Sequence, residues 1–481
     1  MEYTKKQLLE LGIFRHFNAL CQIPHISGEE KALSDYLHHW AEGLGLKAQQ
    51  DSHHNLLIQK PAAPGYENAP AVMLQAHIDM VGDQVTGGTF DFSHDPIPWI
   101  IEGENITTGG RTTLGADDGA GVALAMAILE DQTLKHPALE VALTTMEEVD
   151  FSGADNFDMP FQAEYLINLD GSYENQIVCG SSGGMDCNVQ LPLHRRPTVS
   201  GQAGICVKVA GMAGGHSGRE INRGRDTAVN ILGRLLLKLR STLPYTVASL
   251  SSGTSYIALS REAEAELALA PQDVPAAQAI VDEMCETIRG EHPVTGETIS
   301  ITLTPCPAPE LSVEPEPILT WLVLSPNGIV QNNEMFPTVV ASSCNLGLVR
   351  MNAESIELRY DIRSQPEKMG QYTYDRLALL AEMTGGSCTT TLQYPSWTLQ
   401  PNSRLRDQAV ETYRRHTGCE PEVLALHVGL EVSYFLRRKK NLDAISIGST
   451  RWGNHGPAEG MSIPSLLRTL DYLCALLAEL R

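Results

Sequence analysis

AVMLQAHID (residues 71–79), GADDGAGVALAMAIL (115–129) and LEVALT (139–144) follow one another in a single stretch of about seventy residues, and their order decides the fold. Two short apolar runs of strand length flank a segment whose small and apolar residues suit a helix packed on a sheet. Strand, helix, strand in that order predicts a βαβ unit with parallel strands. Working outward, YLINL (165–169) predicts a third buried strand and DAISI (443–447) a fourth, followed by a loop and a helix over 463–480. The two ends of the chain are therefore expected to share one mainly parallel α/β sheet. The middle reads differently. GSSGG (180–184) has hinge composition, and beyond it residues alternate, as in 187–191 and 205–209. Amphipathic helical stretches (226–239, 275–288) and strands (299–304, 356–362) complete an α+β pattern. The expected organisation is an α/β domain in two segments, 1–186 and 396–481, interrupted by an inserted α+β domain over 187–395.

Composition narrows the partners. Of 481 residues, 42% are hydrophobic and 19% charged, which excludes a disordered or collagen-like chain. The formal net charge of −23 opposes phosphate backbones and anionic lipid, so neither nucleic acid nor a membrane surface is an expected partner. The first eleven residues, MEYTKKQLLEL, lack the apolar core of a secretory leader, and no window has the length of a membrane span. The ten cysteines are scattered without a CxxC pair, as expected of reduced thiols in a cytoplasmic protein. The basic run RRKK (437–440) is expected to be a solvated helix end.

Acidic and imidazole residues cluster just past the predicted strands. His77 and Asp79 follow the first, Glu147 and Glu148 the second, Asp170 the third, and His455 lies in the loop after the fourth. In open α/β sheets the carboxyl ends of strands line the ligand crevice, so the fold itself gathers these groups. Asp117 and Asp118 open the central helix, where negative charge is favoured. Adjacent carboxylates after an apolar run repel one another unless a cation or water separates them. Imidazole and carboxylate without thiolate suits zinc or a similar divalent ion. Two ions are expected, because three carboxylates and a hydroxide balance two +2 charges, whereas one ion leaves the set strongly negative.

These motifs have a known counterpart. LQAHIDMV (74–81), FSHDPI (92–97), TTLGADDGAG (112–121), MEEVDFSGA (146–154), LINLDGS (166–172), GGHSG (214–218), HVGLE (427–431) and NHGPAE (454–459) resemble, in order and spacing, the di-zinc metallopeptidases of the aminoacylase and carboxypeptidase G type. More narrowly, they resemble the aminoacyl-histidine (Xaa-His) dipeptidases. The resemblance implies hydrolysis of dipeptides by a zinc-activated bridging water. Two divalent ions per subunit are implied, Zn2+ with Co2+ or Mn2+ as substitutes. It places His77 and Asp170 on one ion and Glu148 and His455 on the other, with Asp117 bridging. Asp79 would orient His77, and Glu147 would be the general base. The inserted domain is implied to be a lid that carries a homodimer contact. His216 would stabilise the oxyanion, Asn345 and Arg363 would contact the substrate, and Gly429 would line its pocket. The chain departs from the family pattern at Asp118, where asparagine is common, and at Gly456, where serine is common.

Three other readings have sequence support. Gly180–Gly184 fits GxSxG, with Asp443 and His455 in the chain order of a serine hydrolase, but the motif leads into an alternating, strand-like stretch rather than a helix. A deacylase of N-acyl amino acids would use the same fold, and a peptide-binding relative would have lost the chemistry.

Overall fold

The computed structural model describes residues 3–481, and its chain forms two compact units. One comprises the residues up to Gly180 together with 399–425 and 430–481; the other comprises 181–398 and 426–429. Relative to the expected segments, the second unit begins at 181 rather than 187 and runs to 398 rather than 395, and a short return at 426–429 joins it. The cause is local: the Ser182 amide donates to the carbonyls of Leu426 and Val428, each at 3.1 Å.

The first unit is built on an eight-stranded sheet ordered Lys47–Gln50, Leu56–Lys60, Leu139–Thr144, Val72–His77, Tyr165–Asn168, Asp443–Ser446, Gln176–Ser181 and Glu422–Leu426. Its four central strands, from Leu139–Thr144 to Asp443–Ser446, run parallel, which bears out the βαβ reading. Every residue of Val72–His77 and Leu139–Thr144 is buried, as continuous apolar runs covered on both faces require. The crossover helix Ala116–Glu130 is buried along all but Ala127 and Glu130. One of its glycines is required by close approach: a Cβ on Gly121 would stand 2.5 Å from both carboxylate oxygens of Asp118.

Toward the edges the sheet turns antiparallel. Lys47–Gln50 and Leu56–Lys60 form a hairpin. The Asp51 carboxylate closes it by accepting the amides of His53 and Asn55, both at 2.9 Å. The carboxyl-terminal helix runs Ile463–Glu479, with the Ser462 side chain capping its start.

The second unit is a ten-stranded antiparallel sheet. Its main path is Ser300–Cys306, Ala203–Ala210, Ala263–Leu269, Tyr245–Ser252, Val340–Met351, Ser355–Ser364, Gly183–Pro192 and Ser387–Thr389. The helices Ala228–Arg240, Val274–Glu291, Glu316–Leu324 and Glu367–Met383 pack with it around a core that includes Leu232, Val281, Trp321 and Tyr360. The alternating residues of 187–191 and 205–209 are thus strands, as their period predicts.

Two expectations are settled here. The run 437–440 ends the helix Val432–Arg438 with Arg437, Arg438 and Lys440 exposed, as expected, and it also holds backbone carbonyls. Arg438 donates to the carbonyls of Ala154 (3.1 Å) and Asp155 (2.5 Å), and Lys439 Nζ to those of Gln162 (2.8 Å) and Ala163 (2.7 Å). The GSSGG stretch leads into the strand Gly183–Pro192 rather than a helix, so no nucleophile elbow is built, and Ser181 and Ser182 are fully buried. All ten cysteines are free thiols. Among the described residues no helix is long and apolar enough to cross a membrane.

Candidate metal centre

The carboxyl ends of the parallel strands bring His77, Asp79, Asp117, Glu147, Glu148, Asp170 and His455 to one edge of the first unit. Asp117 is the pivot. Its Oδ1 lies 3.3 Å from His77 Nε2 and its Oδ2 lies 3.4 Å from His455 Nε2. Asp170 Oδ1 stands 4.0 Å from His77 Nε2, and Glu148 Oε2 stands 2.9 Å from His455 Nε2. Each imidazole is thus paired with one carboxylate of its own and one oxygen of Asp117. The ligand atoms of His77, Asp117 and Glu148 fall within 4.8 Å of one another, and so do those of His77, Asp118 and Asp170. Glu148 Oε1 is buried without a hydrogen-bond partner. A buried anionic oxygen with no donor fits a cation, as does a thiol-free set of imidazoles and carboxylates.

The backbone makes this convergence possible at identifiable positions. Met146 is left-handed (φ 58°) and turns the chain so that Glu147 and Glu148 leave the end of the strand. His455 is left-handed too (φ 66°). Such non-glycine positions cost about 1–3 kcal/mol each and concentrate at functional sites. Gly171 and Gly448 let the loops bearing Asp170 and His455 meet: a Cβ on Gly448 would sit 1.9 Å from the Gly171 carbonyl oxygen.

Electrostatics match the geometry. Burial alone would lower the His77 pKa, but hydrogen bonds to Asp117 and Asp79 raise it well above the usual imidazole range. His455 is pushed up to about 10 by Asp117 and Glu148. Asp117 resists burial and stays well below the usual carboxylate range because Arg451, His455 and His77 face it. Burial, together with the charges of Glu148, Asp170 and Glu431, raises Glu147 well above that range.

Asp79 supports the site in two ways. Its backbone carbonyl lies 3.0 Å from His77 Nδ1, with its carboxylate 3.5 Å away, which leaves Nε2 to face Asp117. The carboxylate accepts the amides of Glu147 (3.0 Å) and Glu148 (3.1 Å) and the Ser27 hydroxyl (2.8 Å), pinning the two glutamates.

Four further residues of this site carry no role in the sequence reading. Glu459 accepts the amides of Leu114 (2.7 Å), Gly115 (3.0 Å) and Asp117 (3.1 Å), so it holds the loop that presents Asp117. Asn454 Nδ2 donates to Asp117 Oδ2 at 2.6 Å. Glu431 is buried, accepts from Gln75 and Thr144 at 2.6 Å each, and is pushed up to about 7 by burial. Arg451, buried to 2% exposure, donates to Asp118 Oδ1 (3.0 Å), to Asp170 Oδ1 and to the Asp170 carbonyl (2.6 Å), and lies 3.1 Å from Asp117 Oδ1.

His216, Asn345, Arg363 and Gly429 all belong to the second unit. His216 Nδ1 accepts the Gly218 amide at 3.0 Å, which leaves Nε2 as the protonated donor. Burial and the charges of Arg363 and Arg219 bring its pKa down to about 4, so it is neutral at pH 7. Arg363 is buried and its Nε donates to Asp361 at 2.7 Å, which fixes the guanidinium plane. Asn345 Nδ2 is engaged by the carbonyls of Tyr256 (2.8 Å) and Ala258 (3.0 Å), while its Oδ1 is buried and unpaired. Gly429 is half-buried in the loop before the helix Val432–Arg438.

His427, in the same motif as Gly429, is held 2.7 Å from the Ser343 hydroxyl. Burial, then Arg363, brings its pKa down to about 3. The unfolded chain takes up this proton below about pH 6.5, whereas the folded chain does so only near 3. Stability is therefore lost as pH falls through that window, by about 2 kcal/mol at pH 5. Thermal unfolding should show a lower Tm at pH 5 than at pH 7, with a smaller drop in His427→Gln; equal drops would assign the acid sensitivity elsewhere.

Comparison with known proteins gives this geometry relatives. The sequence signature described as Peptidase family M20/M25/M40 matches residues 73–479. The cytosol non-specific dipeptidase of Escherichia coli (strain K12) is 34% identical over 478 residues, covering 98% of each chain. The crystal structure of aminoacylhistidine dipeptidase from Vibrio alginolyticus superposes with a TM-score of 0.92 at 28% identity, covering 100% of this chain and 98% of that one. The aminopeptidase PepT of Bacillus cereus, 14% identical with a TM-score of 0.56 over 99% of each chain, shares the fold. With the signature spanning most of its length and a relative matching it from end to end, the chain belongs to peptidase family M20/M25/M40.

Proposed function

We propose that the protein hydrolyses dipeptides, Xaa-His among them, using two divalent ions held by His77, Asp117, Glu148, Asp170 and His455. Zn2+ is the proposed native ion, with Co2+ or Mn2+ as substitutes. The observation that carries the reading is the disposition of Asp117, one oxygen toward each imidazole, with a further carboxylate beside each. When bound, such an ion pair lowers the pKa of water to about 7 and polarises a carbonyl.

The remaining work falls to the chain's own groups. Glu147, held by its amide to Asp79, accepts a proton from the attacking water and returns it to the departing amine. A carboxylate whose proton affinity is raised by burial suits both halves of that transfer. The second unit is proposed to act as the lid. Neutral His216 would offer Nε2–H to the oxyanion, Arg363 and Asn345 would contact the substrate termini, and Gly429 would line the pocket. Exposed Val323 and Leu324, at the end of the helix Glu316–Leu324, support a homodimer contact on this unit. Cytoplasmic residence is proposed from the free thiols and from the cytosolic relative.

One panel tests the reading. Purified protein with quantified metal is assayed against Xaa-His dipeptides, other dipeptides, tripeptides and N-acyl amino acids, with and without chelator. Dipeptide turnover abolished by the chelator and restored by Zn2+ is expected. Turnover confined to N-acyl amino acids would make the protein a deacylase, and binding without turnover would make it a non-catalytic relative.

A further inference from the structure

We infer that Arg451 makes the two metal positions unequal: the one between His77 and Asp170 shares its oxygens with a built-in cation, and the one between Glu148 and His455 does not. The inference rests on the di-metal reading above and concerns the order and strength of loading.

Arg451 Nη2 donates to Asp170 Oδ1 and lies 3.1 Å from Asp117 Oδ1. These are the two oxygens that face His77 Nε2. Its other fork nitrogen, Nη1, is anchored to Asp118 Oδ1 and the Ala116 carbonyl, both at 3.0 Å. The guanidinium is almost wholly buried, so water screens it little. An ion beside His77 must take lone pairs that Arg451 now uses, and must sit against a fixed positive charge. The other position has a different wall. Asp117 Oδ2 there accepts from the neutral amide of Asn454 at 2.6 Å, and Glu148 Oε1 is buried with no donor at all.

Asp118 sets how strongly Arg451 competes. It is fully buried, and its Oδ2 has no hydrogen-bond partner. Together with Arg451 it forms a pair of zero net charge, so the balance between two ions and their carboxylates is undisturbed. Asp118 also draws the guanidinium away from Asp170. Removing Asp118 alone leaves Arg451 to Asp170 and Asp117; removing both members leaves no lone buried charge.

The test is a titration of full-length, chelator-stripped protein with Zn2+ by calorimetry and with Co2+ by visible absorption, on wild type, Asp118→Asn and Arg451→Leu/Asp118→Asn, with circular dichroism as the check on folding. Wild type should bind two ions in two resolved steps, the second weaker by at least about 100-fold. Asp118→Asn, nearly isosteric, should weaken the second step further. The double variant should tighten the second step by at least about tenfold and leave the first in place. Two indistinguishable steps in wild type, or a gap that neither variant moves, would overturn the inference while leaving the di-metal reading standing. Should the double variant fail to fold, the direction of the Asp118→Asn shift decides. Failure to bind any ion would instead remove the di-metal reading itself.

Discussion

Glu147→Gln should lower kcat for a dipeptide by about 10²–10⁴-fold while bound metal stays at the wild-type level. Glutamine keeps the size of the side chain and the backbone bond from residue 147 to Asp79, which holds this turn against the strand end. What it loses is the ability to take and release a proton. The environment of Glu147 suits the proposed transfer: burial and the neighbouring charges of Glu148, Asp170 and Glu431 hold its proton affinity high. Steady-state kinetics with metal analysis of the same preparation check the prediction. A variant that keeps both its ions and its turnover would move the base to another group, and Glu431, buried nearby and pushed up to about 7, would be the first to examine.

Asp117→Ala should have a larger effect, because both proposed ions would depend on that carboxylate. Each oxygen faces a different histidine, so one truncation opens both positions at once. It also takes one of three carboxylates from beside Arg451 and removes the acceptor of the Asn454 amide. Metal content should fall from two equivalents to less than one. Activity should fall by more than the roughly 10–100-fold that follows from losing a hydrogen-bond partner of a ligand. Retention of one full equivalent at wild-type affinity would show that the two positions do not share Asp117.

Much of the catalytic unit is legible in the sequence because its centre is a buried parallel sheet. Such strands are covered on both faces, so AVMLQA and LEVALT read as unbroken apolar runs, and the residues just past them fall at the ligand edge. His77, Glu148, Asp170 and His455 are found this way. Asp117 is visible as a carboxylate at a helix start, but its position depends on a non-helical backbone there (φ −88°, ψ 103°) that spacing does not report. A separate four-stranded antiparallel sheet is less legible. Strands such as Ile100–Glu102 and Gly460–Ser462 are three residues long, too short for a period to show.

Charged residues buried by distant segments leave no local signal. Arg451 and Glu459 sit in a loop that reads as solvent-facing, yet each is almost fully buried by partners some 280–345 positions away. Asp118 did stand out, as a departure from the family pattern. Its reason emerges only once Arg451 is found beside it. The basic run 437–440 is the exposed helix end that its composition suggests, but the carbonyls that Arg438 and Lys439 bind belong to residues 154–163 and leave no local signal.

The strand Asp443–Ser446 lies between Tyr165–Asn168 and Gln176–Ser181, and so sits inside the sheet although the whole second unit separates it in sequence from those neighbours. A nascent chain that has emerged only as far as the second unit already carries His77, Asp117, Glu147, Glu148 and Asp170, but holds an open slot with unpaired backbone on both sides. Closing that slot delivers His455 in the same movement. A chain that lacks the residues from 443 onward therefore has exposed sheet edges and half of the candidate centre.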